Sequence, residues 1–205
     1  TPSANRLEKE IAFFSLPEKT NIKVFPDWET LPYDSFSPHQ DIISQRLETL
    51  DALTSEDQAV FIVPINTLIQ RLSPVEYLGR YLLMLKTGQK LDVQSFRRKL
   101  EKAGYLHVNQ VMSHSEFSVR GSIIDLYPMG NEFPFRIDLF DDEIDTIRLF
   151  DPEDQRSGDK VDEIKLLPAR EFPTDKAGIA LFREQFLAQF DASNSKESIF
   201  HRVTT

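Results

Sequence analysis

Apolar positions recur along this chain at two different periods. Leu7, Ile11 and Phe14 fall about one helical turn apart, so residues 4–15 are predicted as an amphipathic helix. "NIKVFP" at 21–26 reads as a short strand. "DWETLPYDSFSPHQD" at 27–41 holds two prolines and several aromatics without periodicity, and reads as an ordered loop. Helical period returns in "DIISQRLETLDAL" at 41–53, where the preceding Ser37 and Pro38 resemble a helix start. "QAVFIVP" at 58–64 is a continuous apolar run suited to a fully buried strand, and "INTLIQRL" after it to a short helix. Helix, strand and helix in alternation predict an α/β layer with a parallel sheet.

The texture changes near residue 81. "YLLMLK" is a predicted strand, and "DVQSFRRKLEKAG" a helix ended by Gly104. Strand-patterned segments then follow in series at 107–112, 116–127, 133–140, 144–150 and 162–167, which predicts an antiparallel sheet. "PTDKAGIALFREQFLAQF" at 173–190 is again helical, with Ile179, Leu181, Phe182, Phe186, Leu187 and Phe190 apolar. The expected division is residues 1–80, 81–165 and 166–205.

Alternation also sorts side chains between faces. In "FRIDLF", Phe135, Ile137 and Leu139 take the core face, while Arg136, Asp138 and Phe140 point outward. In "SVRGSIIDL", Arg120 falls with Ser118 and Ser122, and Gly121 allows a bend. In "IDTIRLF", Ile147 and Leu149 face the core, leaving Thr146 and Arg148 outside. Neighbouring strands can therefore present Arg120, Arg136, Arg148 and Phe140 on one surface. Arginine and aromatics dominate the energetics of protein interfaces. Pairing of Arg136 with Asp138 or a cross-strand acid, with Phe140 covering a turn, explains the same pattern equally well.

Composition narrows the classes. Hydrophobic residues make up 40% of the chain and aromatics 11%, which supports a packed core and opposes disorder. The net charge of −9 argues against broad nonspecific DNA binding, which depends on neutralising phosphates. With no cysteine, a disulfide framework and a cysteine zinc site are impossible, which fits a reducing compartment. The apolar runs are too short to span a membrane, and no signal-peptide pattern is present. A chain starting at Thr1 is expected to be a processed product or a piece of something longer.

Catalytic chemistry is sparse. The seven glycines never take P-loop spacing; "TGQK" at 87–90 lacks the earlier glycine and the following Ser or Thr. "FDDEID" at 140–145 offers three consecutive acids for Mg²⁺, but its place between two alternating strands favours a solvated hairpin turn. "SPHQD" groups Ser, His and Asp within five residues, where a loop or helix-cap role is preferred to a triad. The histidines at 39, 107, 114 and 201 show no ligand spacing and receive no role. In "FRRKLEK", Glu101 offsets the cations and Arg97, Arg98 and Lys102 cannot share a face, so a solvated helix is preferred to nucleic-acid contact.

Five stretches taken in order resemble the N-terminal UvrB-homology module of the bacterial transcription-repair coupling factor family. They are "DWETLPYDSFSPHQDIISQRLETL", "FIVPINTLIQRLSP", "AGYLHVNQVMSHSEFSVRGSIIDLYPMG", "FPFRIDLFDDEIDTIRLFDPEDQRS" and "LLPAREFPTDKAGIALFR". The resemblance implies an α/β fold: an incomplete UvrB/helicase-like parallel-sheet subdomain, 1–80, truncated at its start. It implies a smaller inserted α+β domain at 81–165, with an antiparallel sheet plus a helix, and at 166–205 the start of a segment returning to the first fold. UvrB itself carries a working P-loop; the module it resembles lacks ATPase motifs, so no cofactor and no catalysis are expected. The implied partner is UvrA, docked on the inserted domain through the motif positions held here by Arg120, Arg136 and Phe140. RNA polymerase and DNA are implied only through parts of a full-length ATP-dependent translocase that this chain does not contain. A cytoplasmic location is expected, with no membrane partner. The competing expectation is a degenerate helicase-like domain that contacts DNA directly.

Overall fold

A computed structural model describes residues 2–14, 21–31, 36–56 and 58–190. Residue 15 of the first predicted helix, residues 32–35 of the aromatic loop and residues 191–205 of the returning segment lie outside the described residues. The chain divides into two compact units, Thr1–Glu171 and Phe172–Thr205.

The larger unit opens with α1 (Pro2–Phe14), β1 (Asn21–Val24), α2 (Gln40–Ser55), β2 (Ala59–Ile62), α3 (Ile65–Leu68) and α4 (Val75–Tyr81). Helix α2 is capped by His39, whose side chain accepts from the Asp41 N–H at 3.3 Å. The cap reading of "SPHQD" therefore holds. Strands β1 and β2 pair in parallel from Asn21 opposite Ala59 to Val24 opposite Ile62. The expectation of a fully buried second strand is corrected: only Ile62 of β2 is buried, and Val60 stays 36% exposed. Among the described residues its sheet has only two strands, so β2 has an unpaired edge and is not enclosed as a central strand would be.

Next come β3 (Leu83–Lys86) and α5 (Val93–Lys102). The Asp92 carboxylate caps α5 by accepting from the Ser95 N–H at 2.6 Å. Phe96 and Leu100, one turn apart, are its buried stripe. Gly104, at φ +94°, ends the helix in the left-handed conformation that glycine tolerates best. There follow β4 (Leu106–His107), β5 (Glu116–Arg120), β6 (Ile123–Leu126), β7 (Phe135–Phe140), β8 (Glu143–Phe150), β9 (Ser157–Val161) and β10 (Glu163–Leu166).

Strands β4 to β9 form one six-stranded sheet in sequence order. Three expectations change here. The predicted strand at 107–112 shrinks to two residues, because the Glu116 carboxylate accepts from the N–H groups of Met112 and Ser113 and turns that stretch into a loop. Strand β4 pairs with β5 in parallel, so the sheet is mixed and not purely antiparallel. The 162–167 segment leaves the sheet, and β10 pairs antiparallel with β3, Leu166 opposite Leu83. Strand β9 was not expected; its residues are nearly all exposed on a sheet edge, which leaves no alternation to read. The fold is α/β in class, with a parallel pair of strands followed by this β-rich region.

One continuous core runs through the larger unit. It joins Phe25, Leu47 and Leu50 to Leu85, Phe96 and Leu100, then to Phe117, Ile124, Ile137 and Ile147, and on to Leu167 and Ala169. Polar fastenings run beside it from α2. Ser44 accepts from the Gly130 N–H at 2.7 Å, Asp51 pairs with Lys165 at 2.6 Å, and Asp41 meets His114 at 2.9 Å.

In the second unit, α6 (Lys176–Gln189) is capped by Asp175, which accepts from the Gly178 N–H at 2.8 Å. None of its residues is buried. Phe182, Phe186 and Phe190 stack along it at ring separations of 5.7 and 4.9 Å.

Candidate protein interface

Two tight hairpins build the outward face of the six-stranded sheet. Residues 121–122 join β5 to β6, and residues 141–142 join β7 to β8. The first residue of each turn, Gly121 at φ +62° and Asp141 at φ +58°, adopts the left-handed conformation that such turns require. "FDDEID" is thus a hairpin turn, and among the described residues no group of three His, Asp or Glu side chains is placed to hold a metal ion. Since Ile123 stands opposite Asp138, both turns lie at the same end of the sheet.

Register then fixes which side chains stand side by side. One outward row runs Ser118, Asp125, Arg136, Arg148 and Lys160 across five strands. The next row, toward the turns, runs Arg120, Ile123, Asp138 and Thr146. Phe140 follows two residues beyond Asp138 and is 78% exposed.

Asp125 lies at the centre of this arrangement and is only 1% exposed, although it stands on the solvent side of the sheet. Two guanidinium groups cover it. Arg136 grips it in a bidentate fork, Nε to Oδ1 at 2.6 Å and Nη2 to Oδ2 at 3.0 Å. Arg120 donates from Nη2 to the same Oδ2. Arg136 also donates from Nη1 to the Gln155 carbonyl at 3.1 Å and to the Ser157 hydroxyl at 3.3 Å. Its guanidinium carbon lies 5.0 Å from the centre of the Phe150 ring. The hydrogen bond to Asp125 holds the Arg136 pKa above its ordinary value, against the opposing effect of partial burial.

All three expected contact residues therefore leave the sheet on its outer face. Arg120 and Arg136 are brought together by Asp125. No described contact joins Phe140 to either of them. The arginines differ in exposure: the Arg120 side chain is 52% exposed and that of Arg136 only 15%. Pairing with a cross-strand acid, one of the two readings of Arg136, is present. Asp138, the named candidate, instead accepts from the Thr146 hydroxyl at 3.1 Å. Asp125 went unnoticed in the sequence, yet a signal existed. A two-residue turn at Gly121–Ser122 sets Asp125 opposite Ser118, and so on the face of Arg120.

Elsewhere, Arg97 pairs with Glu101 at 2.9 Å along the helix, leaving Arg98 and Lys102 in solvent. A surface concavity of about 620 Å³ lies beside the 151–156 loop and the start of β9. Asp151, Glu153, Asp154 and Asp159 line it against Arg156 alone, a charge balance that repels a nucleotide phosphate.

Residues 83–172 match a family described as the UvrB interaction domain. The chain is 50% identical over 202 residues, 98% of its length, to the transcription-repair-coupling factor of Escherichia coli (strain K12), covering 17% of that protein. It is 48% identical over all 205 residues to the transcription-repair-coupling factor of Haemophilus influenzae, covering 18% of it. Against the protein of the same name from Staphylococcus aureus (strain USA300) it is 36% identical over 193 residues, 94% of the chain and 16% of that protein. The chain thus spans less than a fifth of the length of these curated relatives.

Proposed function

We propose a function on one premise: this chain belongs with the transcription-repair-coupling factors and carries the UvrB interaction domain of that family. It acts as a docking module without catalysis of its own. It recruits UvrA and so links a stalled RNA polymerase to nucleotide excision repair, in the cytoplasm. Polymerase and DNA are engaged by other parts of such proteins. The inserted domain at 81–165 carries the contact, between a UvrB-like part at 1–80 and a returning segment at 166–205. The pairing of β3 with β10, which sets the two ends of the insertion side by side, supports that division.

The observation that carries this reading is the outer sheet face, where Phe140 projects 78% exposed on the same side as two arginines that share one buried aspartate. An exposed aromatic and oriented guanidinium groups on one face suit an apolar anchor accompanied by charge-assisted hydrogen bonds.

Calorimetric titration with purified UvrA tests it. The chain should bind. Phe140→Ala should weaken binding on the order of tenfold or more with little change in salt dependence, because its contribution is apolar. Arg120→Ala should weaken binding and flatten the salt dependence. Arg98→Ala, on the far helix α5, should bind as the parent does. Binding to duplex DNA that collapses with rising salt, with none to UvrA, would support the helicase-like reading instead.

A further inference from the structure

Asp125 is a buried anion on a wet face. A carboxylate there has no reason to lose its water unless other groups replace it, since burying an unpaired charge is costly. Here the replacements are Arg120 and Arg136. The two arginines are used very differently. Arg136 commits Nε, Nη1 and Nη2 to Asp125, Gln155 and Ser157, over the Phe150 ring. Arg120 touches Asp125 through Nη2 alone and keeps half its side chain in solvent. Two cations and one anion leave a single net positive charge, and the exposed donors are on Arg120.

We propose that Asp125 is the positioning residue of the docking face. Its carboxylate locks Arg136 as a frame and aims the outer N–H groups of Arg120 at a carboxylate on the partner, beside the apolar notch that takes Phe140. This rests on the reading of the sheet face as the UvrA contact. Arg120 and Phe140 then touch the partner, while Arg136 acts through Asp125. A preorganised guanidinium loses less conformational freedom on binding than a mobile one, which is where the affinity comes from.

The test uses the whole chain and purified UvrA. Asp125→Asn keeps the shape and removes the charge. It should lower UvrA affinity on the order of tenfold. In an Arg120→Ala background the same change should cost far less, because there is no longer an arginine to aim. A merely structural aspartate would lower the melting temperature without such coupling. Arginine side-chain ¹⁵N relaxation in the unmodified chain gives a readout that needs no partner. Arg120 and Arg136 Nε–H groups should be nearly as rigid as the backbone, and Asp125→Asn should set Arg120 loose. A folded Asp125→Asn variant that binds UvrA like the parent, or the same loss with and without Arg120, overturns the proposal. If Asp125→Asn does not fold, the unmodified chain decides: a freely rotating Arg120 side chain overturns it, and a rigid one upholds it. If the unmodified chain does not bind UvrA, the partner reading falls, while the relaxation data still settle whether Asp125 fixes the arginines.

Discussion

Arg136 and Phe140 leave the same strand on the same side, yet their removal should have unequal consequences for stability. Truncating Phe140, 78% exposed, uncovers little, so Phe140→Ala should change stability by only about ±0.5 kcal/mol. Arg136→Ala takes both fork bonds from a carboxylate that is 1% exposed and leaves it with Arg120 alone. Stranding a buried charge in this way should cost about 2 kcal/mol, less than for a wholly enclosed pair because Arg136 retains some contact with water. Urea unfolding of the two variants checks this; equal losses would mean that the fork contributes nothing. The outward direction of all three side chains was legible, because strand alternation needs only local sequence. Their inequality was not, since it depends on which residue stands opposite on the next strand. That is a matter of turn length and register.

Helix α2 and the loop after β6 show why some elements meet where no pattern announces it. Gly130 sits at φ +77°, and a Cβ there would stand 2.6 Å from Leu167 Cδ1, which is itself buried, and 3.6 Å from Glu48 Cβ on α2. Gly130→Ala should therefore cost about 2–3 kcal/mol, combining a left-handed alanine with overpacking, and should lower the urea midpoint without changing the slope. Tyr105 fastens the same neighbourhood. Its hydroxyl donates to the Leu167 carbonyl at 2.7 Å and accepts from the Met129 N–H at 3.2 Å. Complete burial raises its pKa well above the ordinary 10.0. The folded chain holds this proton more tightly than the unfolded one. Its contribution is thus fully present below pH 10 and is lost as pH climbs above that value. Tyr105→Phe should cost about 1–2 kcal/mol at neutral pH, for the unpaired Leu167 and Met129 groups, and should show a shallower alkaline decline. An unchanged alkaline slope would remove Tyr105 from the account. At this level the helices with capped ends and the buried strands β5 to β8 were legible. The exposed edge strand β9 and the shortened β4 were not: one lacks an apolar face, and the other gives way to a loop closed by the Glu116 carboxylate, which no apolar period announces.

The change of pattern near residue 81 marks where β-rich sequence begins, but it is not where packing stops, because Leu47 and Leu50 of α2 share one core with Leu85, Met129 and Leu167. No local period can show that continuity, since it arises only when α2 docks. The most buried ion pair among the described residues fastens it. Arg46, 0% exposed, forks onto Glu171, 3% exposed, with Nε to Oε2 and Nη2 to Oε1 both at 2.7 Å. Arg46 also donates to the Pro26 carbonyl at 2.6 Å, and its guanidinium lies 4.4 Å from the Phe25 ring centre and 4.6 Å from that of Trp28. The Trp28 indole N–H donates to the same Glu171 carboxylate at 2.8 Å. Glu171→Ala therefore strands Arg46 in a dry cage, and should cost about 3 kcal/mol. Replacing Arg46 and Glu171 together by apolar residues of similar volume should recover much of that loss, because the desolvation cost of the pair disappears with it. Trp28 is the only tryptophan in the chain, so its emission reports on this junction without a label. In Glu171→Ala the emission should shift to the red as the indole loses its acceptor and gains water. Fluorescence-detected unfolding should show a lower midpoint. Because the described partners of Glu171 are Arg46 and Trp28 and none lies on the outer sheet face, the folded variant should titrate UvrA with the parent's affinity. A folded Glu171→Ala that keeps its emission and stability would show that the Arg46 cage does not hold the two stretches together. One that keeps its stability but loses UvrA would move the docking surface from the sheet to this junction.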